Sequence, residues 1–367
     1  MIGLFNPGIQ KRDLAYGSRA FSPKGLTTSG DQYGKIQDAI TRITAAGPTA
    51  RKRAALVLPA GDIEISQPIV VPEFTDFIQV DGSRIVYTGT IRNQAVVTAG
   101  GLSVGMERGG KYQGINVYVQ STGHHYWPTW AGGTVDLDKF AAFRLRNSDA
   151  FYLHVRMTEG FPIGLQLFPA PAAATGGLSS VSYGRIDIED SYLFKVGVDL
   201  RGNTGDAFVN QNTFFCGNFS PTSGVTYAGS VYGIRFSKEN ASSYSGQNNN
   251  TFVSPCFQLG TNVAAANWSP SLLVYPGRRY YYQGRVYIAA SQGTVGTTGP
   301  THTSDSAANG AVTLWYEDVL RRCPLLFDSA GAWTKIITAR RESGIGPAII
   351  LRNPGTVPNT GAATEFE

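Results

Sequence analysis

This sequence is short of cysteine, of charge and of long apolar runs, and each shortage removes a class of protein. Cys216, Cys256 and Cys323 are the three cysteines of a 367-residue chain. So few, so far apart, they supply neither a disulfide framework nor a cysteine-based zinc site, and they read as buried free thiols. Charged residues make up only 16% of the chain and the net charge is +5, too little to define a nucleic-acid surface. The two basic runs, ARKRA (residues 50–54) and PGRRYYY (residues 276–282), read as solvated turns. No RNP, helix-turn-helix or zinc-finger pattern accompanies them, so no nucleic-acid partner is expected. No window of about 20 apolar residues occurs, so no membrane insertion is expected. The opening MIGLFNPGIQ lacks the charged start and apolar stretch of an export signal, so ordinary export is not the expected route. The chain has four histidines, no Ser-His-Asp order and no spaced ligand set. Neither a nucleophilic triad nor a metal or other cofactor is therefore expected.

What is present points to β-structure. The chain holds 44 Gly and 19 Pro, and 11% of it is aromatic. Gly- and Pro-punctuated runs of aromatic and β-branched residues are the composition of short strands. The one helical pattern is SGDQYGKIQDAITRITAAGP, in which Ile36, Ala39, Ile40 and Ile43 follow i, i+3, i+4, i+7 spacing. Ser29 or Asp31 can cap its start, and Gly47-Pro48 ends it. After it come runs of four to seven alternating residues bounded by Gly, Asn, Pro or Ser, among them YQGINVYVQ, FYLHVRM, GLQLF, GRIDIED, VGVDLRG and CPLLFD.

These runs repeat. FYLHVRMTEGFPIGLQLF (residues 151–168) aligns with GRIDIEDSYLFKVGVDLR (residues 184–201) at an offset of about 33, placing Leu153 and Val155 on Ile186 and Ile188. YGIRF repeats the Gly-apolar-polar-apolar element, and NQNTFFCGNF resembles NNNTFVSPCF, with Asn210, Asn212, Asn248 and Asn250 read as hydrogen-bonded ladders at corners. A parallel β-solenoid accounts for this, because each unit buries its apolar face only against its neighbours. It also explains LVLPAGDIEISQPIVVP. Pro59-Ala60-Gly61 and Pro68 are corners within one coil, so strand pairing is with the next coil and no hairpin is needed.

YGKIQDAITRI, AALVLPAGDIEISQPIVVP and QVDGSRI together resemble the opening of pectate-lyase-superfamily β-helices, especially bacteriophage tailspikes. Residues 267–318, with GRVYIAA, GPTHTS and NGAVTLWYE in that order, resemble a small β-module of phage tail proteins that is linked to carbohydrate binding or assembly. The resemblance implies an all-β fold: a single-stranded right-handed parallel β-helix with an N-terminal capping helix and a small inserted β-module near the C-terminal end. The expected divisions are an N-terminal virion-attachment arm (1–30), the capping helix and β-helix (31–266), the module (267–318), and the last coils with a tail (319–367). It further implies a homotrimer on the phage virion, attached to the tail or an adaptor protein through residues 1–30. At the bacterial cell surface it would meet a surface polysaccharide, capsule or lipopolysaccharide O-antigen.

The candidate chemistry lies on the outer face. With Ile186 and Ile188 inward, Asp187 and Glu189 point outward about 6.5–7 Å apart, the carboxylate spacing of an inverting glycosidase. The alignment sets His154 beside Asp187 and Arg156 beside Glu189, which suits substrate contacts and equally suits plain cross-strand charge pairing. Asp149, Glu159, Asp199 and Glu239 are rival carboxylates. Tyr126, Trp127 and Trp130, in STGHHYWPTWAGG, are candidates for stacking on sugar rings or for contacts between subunits. The expected function is recognition of the polysaccharide with cleavage by hydrolysis. Lyase chemistry is less expected for want of a dense Asp cluster. The alternatives are a non-catalytic tail adhesin and a bacterial polysaccharide lyase.

Overall fold

A computed structural model describes residues 19–27, 29–101, 107–119, 136, 138–170, 179–192, 195–203, 207–220, 231–239, 247–259, 266–276, 278–303, 306–319, 322–327, 334–343, 349–351 and 365–366. They build a right-handed parallel β-helix. Its coils are easiest to follow in the middle of the chain. Lys111–Val119 lies in a first sheet, Ala141–Arg146 in a second and Ser148–Asp149 in a third. The cycle repeats with Tyr152–Glu159, Ile163–Leu167 and Ser179–Ser182, and again with Arg185–Tyr192, Val196–Gly202 and Ala207–Asn210. Thr213–Ser220 and Val231–Lys238 carry the first two sheets onward. Every strand pairs in parallel with its counterparts one coil away.

The opening stretch behaves the same way. Ala54–Leu58 pairs with Thr75–Gln79, Gly61–Ile65 with Ser83–Tyr87, and Ile69–Val70 with Val97–Gly100, all parallel. The Pro-Ala-Gly segment is therefore a corner, as the missing hairpin signals require.

Stacked coils put like on like. Leu153 lies over Ile186, then Phe214, Phe252 and Ile336, while Val155 lies over Ile188 and Cys216. The Phe214 and Phe252 rings stack at 4.3 Å, and Phe219 on Phe257 at 5.4 Å. At the corner before these strands Asn212 Nδ2 donates to Asn250 Oδ1 at 3.1 Å, and each asparagine also donates to a backbone carbonyl of the coil before it, Val181 O and Val209 O. The ladder satisfies buried backbone that a turn would otherwise strand.

The helix Tyr33–Ala45 closes the N-terminal end, with Ile36, Ala39, Ile40 and Ile43 buried against the first coil. Asp31, rather than Ser29, ties down its start, accepting from Tyr33 N at 3.1 Å and from Ser66 N at 3.0 Å. The expected arm of residues 1–30 is shortened by one finding. Arg19–Phe21 is a strand paired with Ala54–Leu58, and Phe21 is buried in the core. Among the described residues no helix is long and apolar enough to cross a membrane.

Near the C-terminal end the chain leaves the first sheet after Cys256–Gln258 and rejoins the second at Arg322–Phe327, which pairs with Val231–Lys238. Between them stands a separate, mostly antiparallel sheet of Arg279–Tyr282, Arg285–Ala289, Val312–Val319 and Ser306–Asn309, to which Ala266–Asn267 adds in parallel beside Arg279–Tyr282. Its own core includes Trp268, Tyr280, Tyr287, Val295 and Leu314. Two coils cross the same corner in a few residues, from Glu159 to Ile163 and from Tyr192 to Val196, while others take longer, from Val119 to Ala141 and from Ser220 to Val231.

Candidate functional site

Because strand side chains alternate, fixing Leu153, Val155, Ile186, Ile188 and Phe214 inside sends their neighbours outward. The outer face of the first sheet therefore carries Tyr152, His154 and Arg156 from one coil, Arg185, Asp187 and Glu189 from the next, and Phe215 from the third. His154 pairs in register with Asp187, and Asp187 with Phe215. Tyr183, at the corner leading into this strand, is 59% exposed and Phe215 40% exposed, values high enough to leave both rings available to a ligand.

The polar groups are linked. Tyr152 Oη donates to Asp187 Oδ2 at 2.9 Å, and Arg185 Nε donates to Asp187 Oδ1 at 3.1 Å. The Arg185 guanidinium also lies 4.7 Å from the centre of the Phe215 ring. His154 Nε2 lies 2.6 Å from Glu189 Oε1. Burial, strengthened by the bond to Asp187, pushes the Tyr152 phenol up to about 12, so it stays a donor over the whole physiological range.

Two glycines shape this face. Gly114, at φ +70°, sits at a register irregularity where Tyr112 pairs with Leu153, Ile115 with Val155 and Asn116 with Met157. A Cβ there would lie 2.2 Å from Gln79 O, so only glycine fits this bulge. The bulge changes what lies opposite His154 and Arg156 on the preceding coil. Gly217 is stacked on Glu189, whose carbonyl oxygen would lie 2.1 Å from an added Cβ. No side chain grows from the coil beside Glu189 on that side.

The sequence-predicted residues come together only in part. Asp187, Glu189 and His154 form one patch, as the offset of 33 demands. Arg156 stands opposite Glu189, between the register pairs Val155–Ile188 and Met157–Asp190, but the two form no ion pair: Glu189 takes His154, and Arg156 Nη1 turns to Asp81 Oδ1 at 3.0 Å. Tyr126, Trp127 and Trp130 lie outside the described residues. The rival carboxylates are engaged elsewhere. Asp149 meets Arg108 and Ser182, and Glu239 meets Arg201 and Lys139. Asp199 is fully buried under Arg235, Ser237 and Gln166. Burial raises the Glu159 carboxyl against the opposing charge of Arg84. Tyr152, Arg185, Tyr183 and Phe215 escape sequence reasoning, although Arg185 and Tyr152 are the first outward positions of the two aligned strands and were legible by parity. Among the described residues no group of three His, Cys, Asp or Glu gathers to hold a metal ion.

No protein-family model matches this chain, and no curated protein does. Among solved structures it is similar to the Streptococcus pneumoniae surface protein and adhesin PfbA, at 11% identity over 91% of this chain and 88% of that one, with a TM-score of 0.40. It is also similar to DFA-IIIase from Arthrobacter chlorophenolicus A6 in complex with GF2, at 10% identity over 88% and 84% of the two chains, with a TM-score of 0.31. Likenesses this distant carry no argument about what the chain binds.

Proposed function

We propose that this chain is a tailspike-type receptor-binding protein that lays a bacterial surface polysaccharide along the outer face of the first sheet and hydrolyses it between Asp187 and Glu189. The observation that carries the reading is the patch itself: two outward carboxylates on one strand, flanked by Tyr152, His154 and Arg185 and by the exposed rings of Tyr183 and Phe215. Exposed rings and alternating hydrogen-bonding groups suit the apolar faces and hydroxyls of sugars. Asp187 and Glu189 stand two positions apart on one strand, a backbone rise of about 6.6 Å, and a carboxyl spacing of that order suits a water between sugar and base in an inverting hydrolysis. In this reading Asp187, whose two oxygens accept from Arg185 and Tyr152, takes the proton of the attacking water, and Glu189, joined to His154, delivers the proton to the leaving oxygen. The protein acts as a homotrimer at the bacterial surface, carried on a virion through its N-terminal segment.

A second reading, adhesion without cleavage, has one observation in its favour. Both carboxylates already have partners in the free protein, Asp187 with Arg185 and Tyr152, Glu189 with His154. Incubation with purified capsule or lipopolysaccharide, followed by chromatography of polymer size, separates the two. Shortened polymer with the parent protein, and intact polymer with Asp187→Asn and Glu189→Gln, supports hydrolysis. Binding without any change in size supports adhesion, and full cleavage by both variants removes the assigned pair.

A further inference from the structure

The second sheet has electrostatics of its own. Along its outer face Val70, Thr98, Arg144, Gln166, Asp199 and Arg235 follow one another in register from coil to coil. Beside them Arg146 pairs with Gly100, and Arg201 with Ser237. From Gln166 onward the charges are matched. Asp199 accepts from Arg235 Nε at 2.9 Å, Ser237 Oγ at 2.7 Å and Gln166 Nε2 at 2.9 Å. Arg235 Nη1 also reaches Asp138 at 2.7 Å, and Arg201 Nη2 reaches Glu239 at 2.8 Å.

Arg144 and Arg146 are not matched. Arg144 donates to two neutral oxygens, Gln166 Oε1 at 2.7 Å and the carbonyl of Lys139 at 2.8 Å. Its guanidinium lies 5.3 Å from the centre of the Phe168 ring, which Arg201 shares at 5.7 Å. Arg146, two residues along the same strand and half-buried, has no hydrogen bond or ion pair among the described residues. Residues 102–106, 120–135 and 171–178, which border this strand and its neighbours in the chain, contain no Asp or Glu. The acids that act on Arg144, Asp199 and Glu239, are already committed to Arg235 and Arg201. Burial and then the charges of Arg146 and Arg201 bring Arg144 down to about 10, and burial lowers Arg146 as well. The preceding coil offers only Thr98 and Gly100 opposite the pair.

Half-buried cations left without a counter-charge are costly unless an anion completes them. Planar guanidinium groups suit carboxylate and sulfate oxygens, which they hold by paired hydrogen bonds. We propose that Arg144 and Arg146, which stay partly exposed where the neighbouring outward side chains Gln166, Asp199 and Arg235 are buried, form a subsite for an anionic substituent, carboxylate or sulfate, of an acidic polysaccharide. This subsite is separate from the Asp187–Glu189 face and stands whether or not that face cleaves anything.

The test is calorimetric titration of the full chain with oligogalacturonate, with the methyl ester of the same oligomer, and with a sulfated dextran oligosaccharide. One of the two anionic oligomers binds, the neutral ester does not, and affinity falls as salt is raised. Arg146→Gln weakens binding about tenfold or more. Arg51→Gln, which removes one charge from an exposed turn, leaves it unchanged. Without ligand the Arg146→Gln variant melts no lower than the parent, because a like-charge repulsion has been relieved, and this establishes that it is folded. Preference for galacturonate assigns a carboxylate, and preference for the dextran assigns a sulfate. Equal binding of acid and ester, failure of both anionic oligomers to bind, or unchanged affinity in Arg146→Gln overturns the proposal. Concentration-dependent self-association in sedimentation that Arg146→Gln abolishes also overturns it, since the counter-charge would then come from a second copy.

Discussion

Tyr152 and Asp187 are joined between neighbouring coils: the phenol donates to Oδ2 at 2.9 Å from a strand paired with the one that carries the carboxylate. The bond couples coil stacking to the proposed chemistry. Replacing Tyr152 by Phe keeps the ring and removes one donor. Unfolding free energy drops by about 0.5–1.5 kcal/mol. Polymer cleavage falls in kcat while affinity for the polymer changes little, a split read from steady-state kinetics beside equilibrium binding.

Tyr183 stands out from the face, while Phe215 keeps more than half of its surface covered and meets the Arg185 guanidinium. Changing Tyr183 to Ala alters stability by about 0.5 kcal/mol or less, and changing Phe215 to Ala lowers it by about 1 kcal/mol or more. Each weakens polysaccharide binding by about 0.5–1.5 kcal/mol, up to roughly tenfold, in a direct binding assay. Unchanged binding in the double variant would move the glycan off this face.

The Asp199–Arg235 pair is fully enclosed, so removing one partner strands the other. Arg235→Met lowers stability by about 3–5 kcal/mol, and adding Asp199→Leu recovers much of the loss, as measured by denaturant titration.

The same network sets an acid limit. Burial works against the Asp138 carboxylate, but Arg235, with Lys195 and Arg201, holds it down to about 2. Burial likewise opposes Asp199, and Arg235 lowers it. A carboxylate with a depressed folded-state pKa contributes stability above its unfolded value near 3.8, and the contribution is lost as pH falls towards 2. Unfolding midpoints therefore decline from about pH 4 downward, and Arg235→Met flattens that decline.

At the alkaline end burial lifts Tyr87 to about 12 despite the charge of Arg92, and Tyr152 also stands at about 12. Both phenols ionise first in the unfolded chain. Their contribution is complete below the unfolded value of 10.0 and is lost as pH rises from there through about 12. Stability measured by denaturant falls across that window, and Tyr87→Phe reduces the slope.

Much of the fold was legible because stacking imposes repetition on the chain. Leu153 over Ile186 and Val155 over Ile188 follow from one offset, and the helix from the spacing of Ile36, Ala39, Ile40 and Ile43. The site was legible only where a single offset sufficed, which covers His154, Asp187 and Glu189. The Arg156–Asp81 pair was not, because it runs back past the bulge at Gly114, where coils differ in residue count and no constant offset applies. Phe215 escaped notice because FF in NTFFCG does not say which ring faces the interior until Phe214 is seen over Ile186. The matched and unmatched arginines of the second sheet lie on strands whose alternation was read for its apolar half alone.

The inserted sheet occupies a corner that two coils turn in only a few residues, from Glu159 to Ile163 and from Tyr192 to Val196. A bypass of that length, from Gln258 to Arg322, ought to leave the rungs above and below in register. The shaft and its appendage can then diversify independently: sequence drift in the appendage reshapes its surface without renegotiating a single stacked contact of the column that bears it.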